Sequence, residues 1–299
     1  MSRTVLITGA TGTVSGALMD ALSDVDVDVR ALVRDEAKAQ GIESRGVQVR
    51  VADLGTPESL PGAFEGVDDL WLLNANSPRA PENSINAVWA ARHAGVQRVV
   101  RMSAVGAAHD APTRSGRLHA LADNQLKNSG LAWTILRPHF LMQNLLDSAD
   151  TIAEHGAFYL NAGEGRLGMV DARDVAEIAA KILTDEPDHH HAKVYTPTGP
   201  EAISFTQVAA QLHEAIGNNV SYVAVPDDAA RQAMLDAGLS EWLVGMLVEY
   251  GQAYSTGWSD YTTNDVQELL ERQPRRFADF ARDHAAAFGV QAVDHADTK

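Results

Sequence analysis

The chain opens on a short apolar strand that runs straight into a glycine turn, Thr4-Val-Leu-Ile-Thr-Gly9-Ala-Thr-Gly12. No other stretch limits the fold as tightly. Val5, Leu6 and Ile7 suit a strand buried on both faces, and glycines let the chain reverse sharply into the helix that begins near Gly12. The same alternation continues downstream. Apolar runs at 27–33, 47–51, 69–73, 98–103 and 134–137 are separated by helical stretches at 16–23, 36–40, 57–64, 81–94 and 116–129. Strands made almost entirely of Val, Leu and Ile and spaced by helices predict an α/β fold with a doubly wound parallel sheet.

After Pro138 the rhythm changes. Residues 140–155 read as helix, 167–170 as a short strand, 175–183 as a helix with one apolar face, and 194–195 as a strand. Residues 204–216 form an amphipathic helix pattern whose Ser204 and Gln207 fit the glutamine version of a capping box. A strand at 220–225 and helices at 227–237, 241–256, 263–270 and 276–288 follow. The expected organisation is a first domain of residues 1–139 plus 171–199, a smaller substrate or lid domain of 140–170 plus 200–288, and a disordered tail at 289–299.

Composition excludes several functions. The chain has no cysteine, which removes disulfides, thiolate metal sites and a catalytic thiol. Its net charge of −16 opposes binding to nucleic acid or to anionic membranes. No apolar run reaches the length of a membrane span, and no signal-peptide pattern precedes the first strand. The expectation is a cytoplasmic monomer or homodimer acting on a small molecule.

The glycine turn is suited to a dinucleotide. Its backbone can approach a pyrophosphate closely, and the helix N-terminus offers free N–H groups and a positive dipole end. Gly9, Thr11, Gly12, Thr13 and Val14 are the expected contacts, with Ser15 where a third glycine is usual. Arg34 follows the second strand, where an NAD site usually carries an acidic residue, and Lys38 lies four residues on. Two cations there suit a 2′-phosphate and favour NADP. Asp35 turned inward would favour NAD, and a solvated charged run is the alternative to either. Asp53 and Leu54 follow the third strand and are placed to meet the adenine. Asn74 and Ala75, then Ser103, then Pro138 follow the fourth, fifth and sixth strands, at the carboxyl edge where such ligands lie.

Thr8-Gly-Ala-Thr-Gly12, Ala52-Asp-Leu54, Val100-Arg-Met-Ser-Ala104, Ser129 through Pro138, Gln143-Asn-Leu145, Val170 through Ala176 and Tyr195-Thr-Pro-Thr-Gly199 together resemble the NmrA-like atypical short-chain dehydrogenases. The resemblance covers nearly the whole chain. It implies a Rossmann domain with a smaller C-terminal substrate domain. It also implies NAD(P)H-dependent reduction of quinones or of azo and triphenylmethane dyes, although the group includes NADP sensors without known chemistry. Short-chain dehydrogenases place a Tyr-x-x-x-Lys pair on the helix after the fifth strand. Here that position reads His119-Ala-Leu-Ala-Asp123.

Three readings stay open. In the first, hydride passes directly to an electron-poor quinone or dye. In the second, His119 donates the proton of a carbonyl reduction, with Ser103 holding the oxygen and Asp123 orienting the ring or stabilising the imidazolium. Or the chain binds NADP as a redox sensor and does no chemistry. His139, Phe140, Met142 and Asn144 follow Pro138 at once and are the expected substrate wall, with Trp242, Met246 and Tyr250 as a stripe of helical lid or core. No metal is expected: His189-His190-His191 reads as a polar loop, and no HExxH spacing occurs.

Overall fold

The computed structural model describes residues 2–43 and 45–289. All but the first residue of the expected tail therefore lie outside the described residues. The strands are β1 (Arg3–Ile7), β2 (Val27–Val33), β3 (Gln48–Val51), β4 (Asp69–Leu72), β5 (Arg98–Met102), β6 (Ala132–Leu136), β7 (Ala157–Leu160), β8 (Arg166–Leu167), β9 (Lys193–Tyr195), β10 (Ile203–Ser204) and β11 (Ser221–Ala224). The helices are α1 (Thr13–Ala21), α2 (Ala39–Glu43), α3 (Pro61–Phe64), α4 (Ala80–Ala94), α5 (Arg114–Lys127), α6 (Ala149–His155), α7 (Ala172–Thr184), α8 (Pro187–His190), α9 (Phe205–Ile216), α10 (Asp227–Asp236), α11 (Glu241–Ser255), α12 (Asp265–Leu270) and α13 (Phe277–Asp283).

The chain divides into two compact units. The first takes Met1–His139, Ala172–Pro197 and Asn264–Arg272, the second Phe140–Asp171, Thr198–Thr263 and Gln273–Lys299. The 264–272 segment, expected with the second, packs in the first. There α12 lies on α7, and Arg272 just beyond it pairs with Asp174 at 2.7 Å and Glu177 at 2.5 Å.

In the first unit all seven strands pair parallel in the order β3-β2-β1-β4-β5-β6-β9. This is the doubly wound Rossmann arrangement, and its strand order reverses between β1 and β4. Thr8 fastens that crossing: its Oγ1 donates to Leu73 O (2.7 Å) and accepts the Leu73 N–H (2.9 Å). Helices α1 and α7 pack together on one face, and α4 and α5 on the other.

On the α1 side, Trp71 is fully buried and donates its indole N–H to Ser15 Oγ at 2.9 Å, while Ser15 donates to Thr8 O at 3.0 Å. Ser15 thus does the helix-to-strand packing usually left to a third glycine. At the amino edge, buried Asp69 accepts from Arg3 (2.8 Å) and Arg98 (2.9 Å). Arg98, itself buried, also donates to the last carbonyls of α7, those of Ile182 and Leu183, and to Asp185 O. These are acceptors that a helix C-terminus leaves without intrahelical partners.

The second unit has its own core, in which Phe158, Phe205, Phe277 and Phe280 are fully buried among aliphatic residues. Within it α9 lies on α13, β11 pairs parallel with β7, and β10 pairs antiparallel with β8. The capping box at Ser204 and Gln207 forms in both directions. The expected helix at 140–155 is shorter, because the Leu141–Val170 bridge holds its first residues extended. Met142 N–H donates to Val170 O (2.9 Å), a 3-10 stretch runs from Met142 to Ser148, and α6 follows. Strand β7 directly follows Gly156, whose positive φ ends α6; at four residues it was too short to stand out in the sequence.

Replacing Asp69 by Ala would leave Arg98 buried without its carboxylate. The expected cost is about 3–5 kcal/mol, read as a lower midpoint in chemical denaturation, and a change within 1 kcal/mol (about the worth of an exposed ion pair) would show that the network carries no stability.

Candidate active site

The phosphate turn is built as a cradle. Gly9 has φ of +60°, and a Cβ there would sit 2.5 Å from Leu73 Cδ2 and 2.9 Å from Leu73 O. Only glycine fits both the backbone and the space. The Gly12 N–H is spent on Gly9 O at 2.8 Å, and no side chain caps α1. The first-turn N–H groups, those of Thr13, Val14 and Ser15, therefore lack helical acceptors, as at any helix start. Thr11 and Thr13 are exposed, whereas the Val14 side chain is buried in the core, so only its backbone can serve a phosphate. The residues present fit a pyrophosphate.

Arg34 and Lys38 are both exposed beyond β2. The segment after them is a 3-10 turn, Glu36–Lys38, rather than the start of a regular helix. Asp35 caps that turn, accepting the Ala37 N–H at 2.9 Å, so its carboxylate is held by its own backbone. Asp53 is partly exposed and accepts the Gly55 N–H at 2.9 Å. Leu54, expected at the adenine, instead buries its side chain in the core beneath α3 and α4. Asn74 is pinned by Ala80 O (2.9 Å) and Ser84 (3.2 Å), and Ala75 is exposed.

At the carboxyl ends of β5 and β6 lies a charge cluster that sequence reasoning did not assemble. Asp123, on α5, has no exposed surface. Its Oδ1 accepts from Arg101 Nη1, and its Oδ2 accepts from Ser103 Oγ (3.0 Å), Arg137 Nη2 (2.8 Å) and Arg137 Nε (3.1 Å). Arg101 belongs to β5, and Ser103 and Arg137 stand just past β5 and β6.

This corrects two expectations. Asp123 does not touch His119; Arg101 stands between them, with its Nη2 3.2 Å from His119 Nδ1. The Ser103 hydroxyl proton is committed to Asp123 rather than offered to a substrate oxygen. Burial first, then the positive charges of Arg101 and Arg137, pushes His119 down from 6.5 to about 3. This favours the neutral ring at physiological pH and works against the imidazolium that the carbonyl-reduction reading required. Burial pulls Arg101 below its usual value, and Asp123 opposes that pull.

Pro138, expected at the cofactor, and His139, expected in the substrate wall, are both buried in the first unit, and His139 donates its N–H to Pro197 O at 3.0 Å. In the second unit Met142 is buried in the core rather than lining a pocket, Asn144 is exposed, and Phe140 packs edge-on to Phe205 at 5.7 Å. Met246 is buried, and Tyr250 stacks on Tyr254 at 5.6 Å and packs against the core of its own unit.

The three histidines do not form a loop. His190 ends α8 and is buried between Tyr195 (3.0 Å) and Asp185 (3.1 Å), while His191 Nδ1 accepts the Trp133 N–H at 3.3 Å. Among the described residues no group of three His, Asp or Glu side chains is arranged to hold a metal ion, and no helix is long and apolar enough to cross a membrane.

The NmrA-like family matches residues 1–281. The NAD(P)H azoreductase of Xenophilus azovorans is 39% identical over 289 residues, covering 96% of this chain and 99% of that one. Quinone oxidoreductase 2 of Escherichia coli (strain K12) is 32% identical over 257 residues, 85% of this chain and 88% of the other. The crystal structure of Citrobacter sp. triphenylmethane reductase complexed with NADP(H) superposes with a TM-score of 0.82 at 26% identity, covering 94% of this chain and 99% of that one.

Gly9→Ala forces a left-handed backbone on a residue with a Cβ and drives that Cβ into Leu73. The expected outcome is loss of NADP binding in calorimetry together with destabilisation of about 1–3 kcal/mol from the backbone alone. Wild-type affinity in this variant would remove the turn from the cofactor site.

Proposed function

The chain belongs to the NmrA-like family, and from that premise we propose that it is an NADPH-dependent reductase of small aromatic acceptors, quinones and azo or triphenylmethane dyes. The observation that carries this reading is the cluster beside β5. Where a tyrosine and lysine would protonate a nascent alkoxide, this chain has a neutral imidazole and a carboxylate locked between two arginines. The imidazole, held toward its neutral form by burial and by the two arginines, has no second proton to hand over. Such a site suits acceptors whose reduced form needs no enzymic acid, because orientation then supplies most of the rate.

The α1 N-terminus and the Gly9 turn hold the pyrophosphate, and Arg34 with Lys38 receive the 2′-phosphate. The Asp35 cap supports NADP over NAD, since the carboxylate that would accept from a free ribose hydroxyl already serves Ala37. When bound, NADPH supplies the hydride. For a quinone, two electrons and one proton arrive together at the ring, and water provides the second proton. A cytoplasmic location and a monomeric or homodimeric state belong to the same reading.

Two measurements test it. NADPH consumption is expected to rise above background with members of a quinone and dye panel; tight NADP binding with no turnover on any of them would leave a binding protein without chemistry. Arg34→Ala removes a charge-assisted phosphate contact worth about 1.5–3 kcal/mol, so KM for NADPH is expected to rise roughly tenfold to a hundredfold while KM for NADH barely moves. Equal effects on the two cofactors would overturn the 2′-phosphate assignment.

A further inference from the structure

His119 has a fixed tautomer, and geometry alone sets it. A guanidinium carries only donors. The 3.2 Å contact from Arg101 Nη2 therefore leaves Nδ1 of His119 as the acceptor. Arg101 cannot swing away, because its Nη1 is bound to buried Asp123 Oδ1. Oδ2 of the same carboxylate is filled by Ser103 and Arg137. A proton on Nδ1 would face Nη2–H donor to donor, and in the imidazolium also cation to cation. The neutral ring must then carry its proton on Nε2, and this nitrogen has no hydrogen-bond partner among the described residues.

The charged groups around the ring are Arg101 from β5, Arg137 beyond β6 and Asp123 on its own helix. The two cations act directly on the imidazole, in the same sense as its burial, and the value of about 3 agrees with this arrangement. The ring stands on α5 against Arg101, whose carboxylate partner Asp123 also binds Ser103 at the carboxyl end of β5, the edge where a doubly wound fold places its ligand.

We propose that His119 is a neutral hydrogen-bond donor of single tautomer, presenting Nε2–H to the oxygen of a quinone acceptor as negative charge develops on it, and that Arg101 is the positioning residue that fixes this state. The inference rests on the reductase reading for its ligand, and on the structure alone for the tautomer. No proton leaves the ring. It stabilises the hydroquinonate oxygen as neutral donors stabilise oxyanions elsewhere.

The test uses the full chain with NADP⁺ and 15N-labelled histidine. Long-range 1H–15N correlations separate the two neutral tautomers and the imidazolium, and His119→Gln identifies the resonances that belong to His119. The expected result is the Nε2–H pattern, unchanged from about pH 5.5 to 8, because the free value near 6.5 has been moved far below this window. In Arg101→Gln, His119 should regain a titration inside the window or show mixed tautomers. A wild-type His119 that titrates there, or that shows Nδ1–H, overturns the proposal whether or not the Arg101 variant folds.

Turnover tests the other half. His119→Ala is expected to lower kcat with a quinone by about 100-fold at unchanged NADPH affinity, and His119→Gln, which keeps an N–H near the Nε2 position, to recover at least a tenth of the wild-type rate. Wild-type turnover by His119→Ala would refute donation to the substrate while leaving the reductase reading intact. No turnover by the wild-type chain would sink that reading and the substrate half of this inference, with the tautomer still decided by the spectra.

Discussion

A single buried carboxylate organises the carboxyl edge of the sheet. Asp123 reaches from α5 to Arg101 on β5, to Ser103 at the end of that strand and to Arg137 at the end of β6. Removing three charges from water costs several kcal/mol per ion, and a well-packed apolar set would often be as stable. Stability is therefore a weak reason for these residues to be here. Their arrangement explains more: the cluster holds two strand ends and a helix in one register, and it turns a guanidinium N–H toward the ring that fills the usual proton-donor position.

Strand β5 carries two buried arginines that do different work. Arg98 and Arg101 are three residues apart, and strand side chains alternate faces, so the two leave opposite sides of the sheet. Arg98 faces the α1 and α7 side, where it binds Asp69 and closes the C-terminus of α7. Arg101 faces the α4 and α5 side, where Val99 also packs, and reaches Asp123 and His119. One strand thus secures the amino edge of the sheet with one charge and shapes the carboxyl edge with another, each paired with a buried carboxylate.

Local pattern reveals this fold well and this site only in part. The six early strands were legible because parallel strands buried on both faces are nearly pure Val, Leu and Ile, and the phosphate turn because its glycines sit between such a strand and a helix. The cluster at Asp123 was not. Arg101 and Arg137 stand in sequences that look like a strand and its end, and nothing local shows that both turn toward a residue on α5. Ser15 stands where a third glycine is usual, and its bonds to Trp71 and Thr8 join residues 56 and 7 positions away. Met142 and Leu54 erred the other way. Each lies next to polar residues expected at the ligand, yet their side chains complete cores that only the folded chain defines.

A neutral donor is a physically sufficient substitute for an acid only for some products. Hydride addition to an aliphatic carbonyl leaves an alkoxide nearly as basic as hydroxide, and such an anion needs a proton as it forms. Reduction of a quinone leaves a phenolate-like oxygen, whose conjugate acid ionises near 10 as in tyrosine. That oxygen can exist long enough for water to protonate it, so a hydrogen bond of fixed direction is all the protein must provide. If His119 acts as proposed, the Arg101 contact that disfavours an imidazolium there narrows the chemistry of the site, away from acceptors that demand an acid and toward those that ask only for an oriented donor.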